Sequence, residues 1–339
     1  MGKMRRAEPT IIYKENEITK DIMPYISSII ITDNLEGTLD DLKISLINQK
    51  NIFLNNNWSP NKNERIEIGI KTLNWEQEKE GIVNKNFGIF YIDEKEFSKK
   101  TATWKGISAP LNSKNVKNSK TWESVTLNKL GEEIANKYNL EYQFFSESEI
   151  NLKDLQQEKQ TDFSFLNKIA LEEGIKLKIT NKKLVLFEES EFQKKETSII
   201  LDLKKVEDFR IKDKSNDIYD AVEVKEFDKI AFKETKVIIT KEELEGKEPG
   251  QANKILKINT RSKSQDLNRY ALKKLEQVNK QENMINITTV GDLRYYAGIV
   301  VNIINAGIYS GRYMIKKVIH KLPNFTTEIE TYKIGDFND

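Results

Sequence analysis

His320 is the single histidine of the chain and cysteine is absent, so few side chains could do bond chemistry. A serine triad would have one possible base, and a multi-histidine metal site would have none. His320 lies in MIKKVIHKL, where apolar and polar residues alternate as in a strand. That context favours a structural histidine, hydrogen-bonded near a strand end. No GxGxxG follows a strand pattern, and LEGKEPG lacks the spacing and the Ser or Thr of a P-loop, so nucleotide binding has no support. Adjacent acids recur at Asp40 and Asp41, Glu132 and Glu133, Glu172 and Glu173, and Glu242 and Glu243. Neighbours on a strand or helix point in different directions, so adjacency does not make a glycosidase pair, and these acids read as solvated surface. The expectation is no enzyme: no catalytic residue, no cofactor and no metal.

The bulk composition bounds the possible partners. At 339 residues the chain is long enough for two or three cores. Basic and acidic residues number 55 and 53, a formal net charge of +2, which gives no steering toward nucleic acid or an anionic membrane. Without cysteine the chain is held by packing, and a reducing compartment is permitted. MGKMRRAEPT has basic residues with no apolar core behind them, so no secretory signal is expected there, and Arg6 stands where myristoylation favours Ser or Thr after Gly2. AGIVVNIINAGIY is too short to span a bilayer of about 30 Å. Sequons at Asn57, Asn286 and Asn324 carry little weight without an export signal.

Three kinds of element would position any functional residue. From Thr10 to about Pro110 the signals are strands: DLKISLI sets Leu42, Ile44 and Leu46 on one face, and RIEIGIKTL does the same with Ile66, Ile68 and Ile70. FGIFYIDEKEFS and TATWKGISAP continue the pattern, with Trp58 and Trp104 expected in a barrel wall. A linker, LNSKNVKNSK, leads to a central unit from Lys120 to Glu189. There Leu127, Leu130, Ile134 and Tyr138 mark one helix capped by Thr126; Phe163, Leu166, Ile169 and Ala170 mark a second, with Thr161 as cap and Gly174 at its left-handed end. The polar FFSESEINLKDLQQEKQ between them reads as a surface crossing. Ile175, Leu177, Ile179, Leu184 and Leu186 then alternate about a turn at Asn181 and Lys182. From Ile199 strands return, interrupted by one helix with Leu267, Ala271, Leu275 and Val278 on a face and Ser264 as cap.

These segments resemble, in order, the late control gene D family of phage tail proteins, the baseplate hubs of contractile tails. QTDFSFLNKIALEEGIKLKITNKKLVLFEE is similar to the family's middle segment. In the first tube-like domain Asp33, Asp41, Trp58, Pro60, Gly88, Phe90 and Asp93 fall on recognisable points, with Asn63 where a glycine is often found. GDLRYYAGIVVNI, YSGRYMIKKVIHKL and TTEIETYKI resemble the closing strands of the second, with Gly291, Gly298, Gly311, Tyr313, His320, Thr327 and Glu328 as matching positions.

The resemblance implies a β-rich α+β chain: a first tube-like β-domain at 1–112, a central helix-helix-hairpin α/β domain at 120–190, and a second tube-like β-domain with one helix at 198–335. It implies a homotrimer whose two tube-like β-barrel domains per subunit alternate in a pseudo-sixfold ring between a hexameric tail tube and a trimeric spike. Tube, spike and other baseplate proteins would be its partners, with no membrane and no sequence-specific nucleic acid. Its place would be the baseplate of a virion or tail-like bacteriocin particle, made in the bacterial cytoplasm. The family-motif residues would be structural: Trp58, Gly88, Asp93, Phe163, Leu166, Gly174, Gly311, Tyr313 and His320. The competing reading is a cell-wall-degrading or glycan-binding tail component; the end at Asp339 is expected to leave no room for an appended hydrolase or a VgrG-type needle.

Overall fold

Alternating apolar residues build the first region of the computed structural model, which describes residues 5–55, 58–194, 199–228, 232–244, 246–260 and 266–335. Its elements are β1 (Arg6–Tyr13), β2 (Asn16–Glu17), α1 (Thr19–Ile22), β3 (Ile26–Asn34), β4 (Asp41–Ile47), β5 (Arg65–Leu73), β6 (Ile82–Phe97) and β7 (Thr101–Ile107). Leu42, Ile44, Leu46, Ile66, Ile68 and Ile70 all face one core, as their period of two requires. Trp104 is in that core, and Trp58 packs against its rim.

The central region is richer in strands than its sequence predicts. It runs α2 (Leu111–Asn115), β8 (Lys117–Thr126), α3 (Leu127–Lys137), β9 (Glu141–Phe145), β10 (Asn151–Thr161), α4 (Asp162–Glu172), β11 (Ile175–Thr180), β12 (Lys183–Glu188) and α5 (Ser190–Gln193). The expected linker at 111–120 is instead a short helix and the start of β8, and the expected surface crossing contains the end of β9 and most of β10. β8 and β10 form an antiparallel ribbon, and β9 adds in parallel to the β11–β12 hairpin. Their polar sequence hid them because one face of the ribbon stays wet while Leu152, Leu155 and the polar Gln157 are buried. Thr126 caps α3, its Oγ1 accepting from the Lys129 N–H at 3.2 Å. Thr161 has N-cap backbone geometry, but its hydroxyl makes no cap bond. Gly174 ends α4 with φ +72°.

The last region holds β13 (Ile199–Asp202), β14 (Asp208–Asp213), β15 (Ala221–Asp228), β16 (Lys233–Thr240), α6 (Lys241–Leu244), β17 (Ile255–Thr260), α7 (Leu267–Asn279), β18 (Asn283–Val290), β19 (Val300–Ile304), β20 (Gly311–Leu322) and β21 (Thr326–Lys333). The expected single β-domain with one helix is divided. Between the paired strands β14 and β18, residues 214–282 form an inserted module, a sheet in the order β16-β15-β17 covered by α7, with its own apolar cluster. Ser264 lies outside the described residues; Asp266 caps α7 by accepting from the Arg269 N–H at 3.0 Å.

The two outer regions share one sheet, ordered β14-β18-β21-β20-β3-β4-β7-β6-β5-β1-β2. Within it two four-stranded runs repeat each other. A row on the apolar face crosses β3, β4, β7 and β6 as Ile29, Ile44, Trp104 and Lys95. Its counterpart crosses β14, β18, β21 and β20 as Phe209, Ile287, Ile329 and Val318. Each last strand bulges at the same place, between Ile92 and Glu94 in β6 and between Ile315 and Lys317 in β20. Before the bulge, the Ile92 N–H donates to Glu64 O and its carbonyl accepts from Asn63; Ile315 does the same with Ile299 and Gly298. Asn63 and Gly298 both take positive φ, 66° and 97°, so asparagine fills the left-handed position that glycine fills in the second run.

Candidate functional site

The nine residues singled out in the sequence do not converge on one cavity. Trp58 meets Tyr25 and Phe53 edge-on, with centroids 6.2 and 6.0 Å away. Phe163 and Leu166 sit in the central core, the Phe163 ring 4.9 Å from Tyr138. Tyr313 is fully buried in the core of the last region and donates its hydroxyl to Tyr309 O at 2.7 Å. Gly311 opens β20 at φ +139°. Asp93 is the bulged residue of β6. Gly88 has φ +92°, and a Cβ there would lie 3.0 Å from the Cβ of Asn181, so the first region and the tip of the central hairpin touch at a glycine.

His320 is 1% exposed, between the rings of Phe87 and Phe325, with Nδ1 3.0 Å from Thr327 Oγ1. Burial pushes its pKa down to about 4, so the ring is neutral at pH 7 and closed to any substrate. Among the described residues no cluster of three or more His, Asp or Glu could hold a metal ion.

What the structure does bring together is charge, at the junction of its regions. Lys178 on β11 reaches Asp33 Oδ1 at 2.5 Å, Asn34 O at 2.5 Å and Asp40 Oδ1 at 3.0 Å. Asp33 Oδ2 also accepts from the Ala297 N–H at 2.9 Å, so three regions meet on one carboxylate. Burial raises Asp40 to about 6 against the pull of Lys178, and its carboxylates hold Lys178 above the usual lysine range. Lys176 pairs with Glu36, and Glu189 pairs with Lys280 and Tyr332. Glu188 accepts from Lys273 at 3.0 Å and lies 3.4 Å from Arg269 of the inserted module.

Lys176, Lys178, Glu188 and Glu189 of KLKITNKKLVLFEE look solvated in the sequence because their period places them opposite the core. They are covered instead by other regions, and their alternation with apolar residues carries no sign of that. Two of the acids read as surface are buried for the same reason: Asp40 and Glu173 are 5% and 4% exposed. Asp162 was also missed; it gathers Asn118, Lys137, Tyr138 and Gln157 at the start of α4.

No family model and no curated protein matches the chain in sequence. Solved structures do. A tail protein from Neisseria meningitidis MC58 superposes with a TM-score of 0.70 at 12% identity, covering 97% of each chain. The 43 kDa tail protein of prophage MuSo2 from Shewanella oneidensis gives 0.68 at 13%, over 96% of this chain and 98% of that one. A type VI secretion system component from E. coli, described as structurally similar to the T4 bacteriophage tail proteins gp27 and gp5, gives 0.57 at 7% identity over 92% and 74%. No helix among the described residues is long and apolar enough to cross a membrane. At such low identities the likeness is one of fold, and the β-rich α+β architecture of this chain is, nearly end to end, the architecture of phage tail proteins.

Proposed function

We propose that the chain is a baseplate hub subunit of a contractile tail or tail-like particle, of the late control gene D kind. It acts by assembly: a homotrimer forms a pseudo-sixfold ring that joins a hexameric tail tube to a trimeric spike, with other baseplate proteins around it, and no bond chemistry is required. The observation that carries this reading is the repeated four-stranded run. A subunit with two equivalent runs in one sheet presents the same surface twice, so three copies offer six equivalent positions to a sixfold tube. The whole-chain likeness to tail proteins supports the same role. The division at 1–112, 120–190 and 198–335 belongs to this reading, supported by separate apolar clusters, with the module at 214–282 set into the last part.

Electron microscopy of the purified chain at rising concentration, with two-dimensional averaging, tests it. Rings of threefold symmetry with sixfold-looking walls and a central channel are expected. Monomers that persist at high concentration, with and without tube and spike proteins added, would overturn it.

A further inference from the structure

The repeat identifies a junction inside the chain and implies its counterpart between chains. β20, last strand of the second run, pairs antiparallel with β3, first strand of the first run, setting Ile31 against His320, Thr32 against Ile319, Asp33 against Val318 and Asn34 against Lys317. The mirror-image ends are open. Among the described residues no strand pairs with the far side of β14, and beyond Tyr91 none pairs with the side of β6 away from β7. The eight strands from β14 to β6 alternate in direction, so the two open strands run oppositely, as β3 and β20 do.

We propose that β6 of one copy pairs antiparallel with β14 of the next, in the register that sets Lys212 against Glu96 and Lys214 against Glu94. This rests on the ring reading above and names the surface that closes it. The register follows from the equivalence of the two runs. Matching Ile29 to Phe209 and Lys95 to Val318 carries the internal pairs Thr32 with Ile319 and Asn34 with Lys317 onto these two positions, and carries Ile31 with His320 onto Ile211 with Phe97. The side chains so matched are complementary. Lys212 and Lys214 meet Glu96 and Glu94, Asp213 meets Lys95, and Ile211 meets Phe97.

The backbone agrees independently. The Lys214 N–H donates to Glu282 within the chain and the Ser98 N–H to Thr101, so by alternation Ile211 and Asp213 on β14, and Lys95 and Phe97 on β6, turn their own amides and carbonyls outward. The register sets these outward groups against each other. Exposed apolar side chains mark both edges, Phe209 at 46% and Leu54 at 56%, the latter lining an open cleft with Ser59, Asn61, Lys95 and Phe97. An exposed edge of this kind is a template for another strand. A head-to-tail contact between unlike edges closes into a ring when the rotation allows.

The absence of native cysteine makes the test direct. Glu96→Cys and Lys212→Cys, introduced together in the full chain, stand opposite each other at a non-hydrogen-bonded pair, where Cα atoms about 4.5 Å apart suit a disulfide. Oxidation is expected to give covalent dimers and trimers on a non-reducing gel, with neither single variant passing beyond a dimer. A second variant avoids thiols: Glu94→Lys with Glu96→Lys weakens association by about tenfold or more, and adding Lys212→Glu with Lys214→Glu in the same chain restores it. Rings that form but neither cross-link nor respond to charge reversal would overturn the edge assignment and leave the hub reading intact. Failure of the wild-type chain to form any ring, with its partners present, would overturn both.

Discussion

At the scale of single residues, stability is concentrated where a side chain is either forbidden or trapped. Gly174 has φ +72°, and a Cβ added there would lie 2.5 Å from the Cγ of Lys273, which reaches over from α7 of the inserted module. Gly174→Val is therefore expected to cost about 1 kcal/mol or more, from backbone strain before any displacement of Lys273; an unchanged urea midpoint would refute this. The trapped groups are His320 and Asp40. For His320 the folded pKa is about 4 against an ordinary 6.5, so the unfolded chain takes the proton first. Its contribution is whole above about pH 6.5 and is lost as the pH falls toward 4. For Asp40 the folded pKa is about 6 against an ordinary 3.8, so the folded chain takes the proton first and this group opposes the loss. Glu188 and Glu189, held below the usual carboxylate range by Lys273 and Lys280, add to the loss at lower pH. Asp40→Asn should therefore steepen the fall in the unfolding midpoint between pH 6 and 4. An equal slope in the variant and the wild type would show that Asp40 does not titrate in this window.

At the scale of elements, α4 illustrates how a local signal becomes a packing energy. The stripe Phe163, Leu166, Ile169 and Ala170 was legible from its spacing, and all four are buried in the central core. Removing the Phe163 ring should cost about 3 kcal/mol, since the ring is 9% exposed and leaves a cavity beside Tyr138. A neutral Phe163→Ala in thermal unfolding would mean that α4 repacks to close the gap. The β8 and β10 ribbon was not legible. KNSKTWESVT and NLKDLQQEKQT carry too few apolar residues for a strand pattern, and their pairing is fixed by long-range contact, with Trp122 stacked on Phe165 at 5.5 Å. The same limit hid the separate sheet of the inserted module: β15, β16 and β17 look like strands of any sheet, and alternation does not say with which neighbours a strand pairs.

At the scale of the whole molecule, eight strands of the shared sheet make two matching runs, with a central unit clasped onto them by buried ion pairs. The proposed joint between copies differs from that clasp in being exposed, since Glu94, Glu96 and Lys214 are open to solvent. Charge pairs there should be screened, whereas Lys178 among its carboxylates should not. Raising the salt from about 0.1 M to about 1 M is accordingly expected to dissociate the assembled ring while the subunit's own unfolding midpoint holds. Sedimentation and circular dichroism on the same samples separate the two. A ring indifferent to salt would point to an apolar joint at Phe209 and Leu54 instead of the charged register.

By itself the sequence determined the β-rich class, the faces that Leu42, Ile66 and Phe163 turn inward, the helix ends at Thr126 and Gly174, and a tail-protein resemblance carried by motif order. These are local: they follow from side-chain period and from backbone angles that few residues tolerate. Tertiary structure decided that Lys176, Lys178, Glu188 and Glu189 are covered, that 214–282 is a module set between two paired strands, and that β20 joins β3. Each depends on which surfaces meet across long stretches of chain, and a charge placed opposite the core has the same spacing whether water or another region lies beyond it.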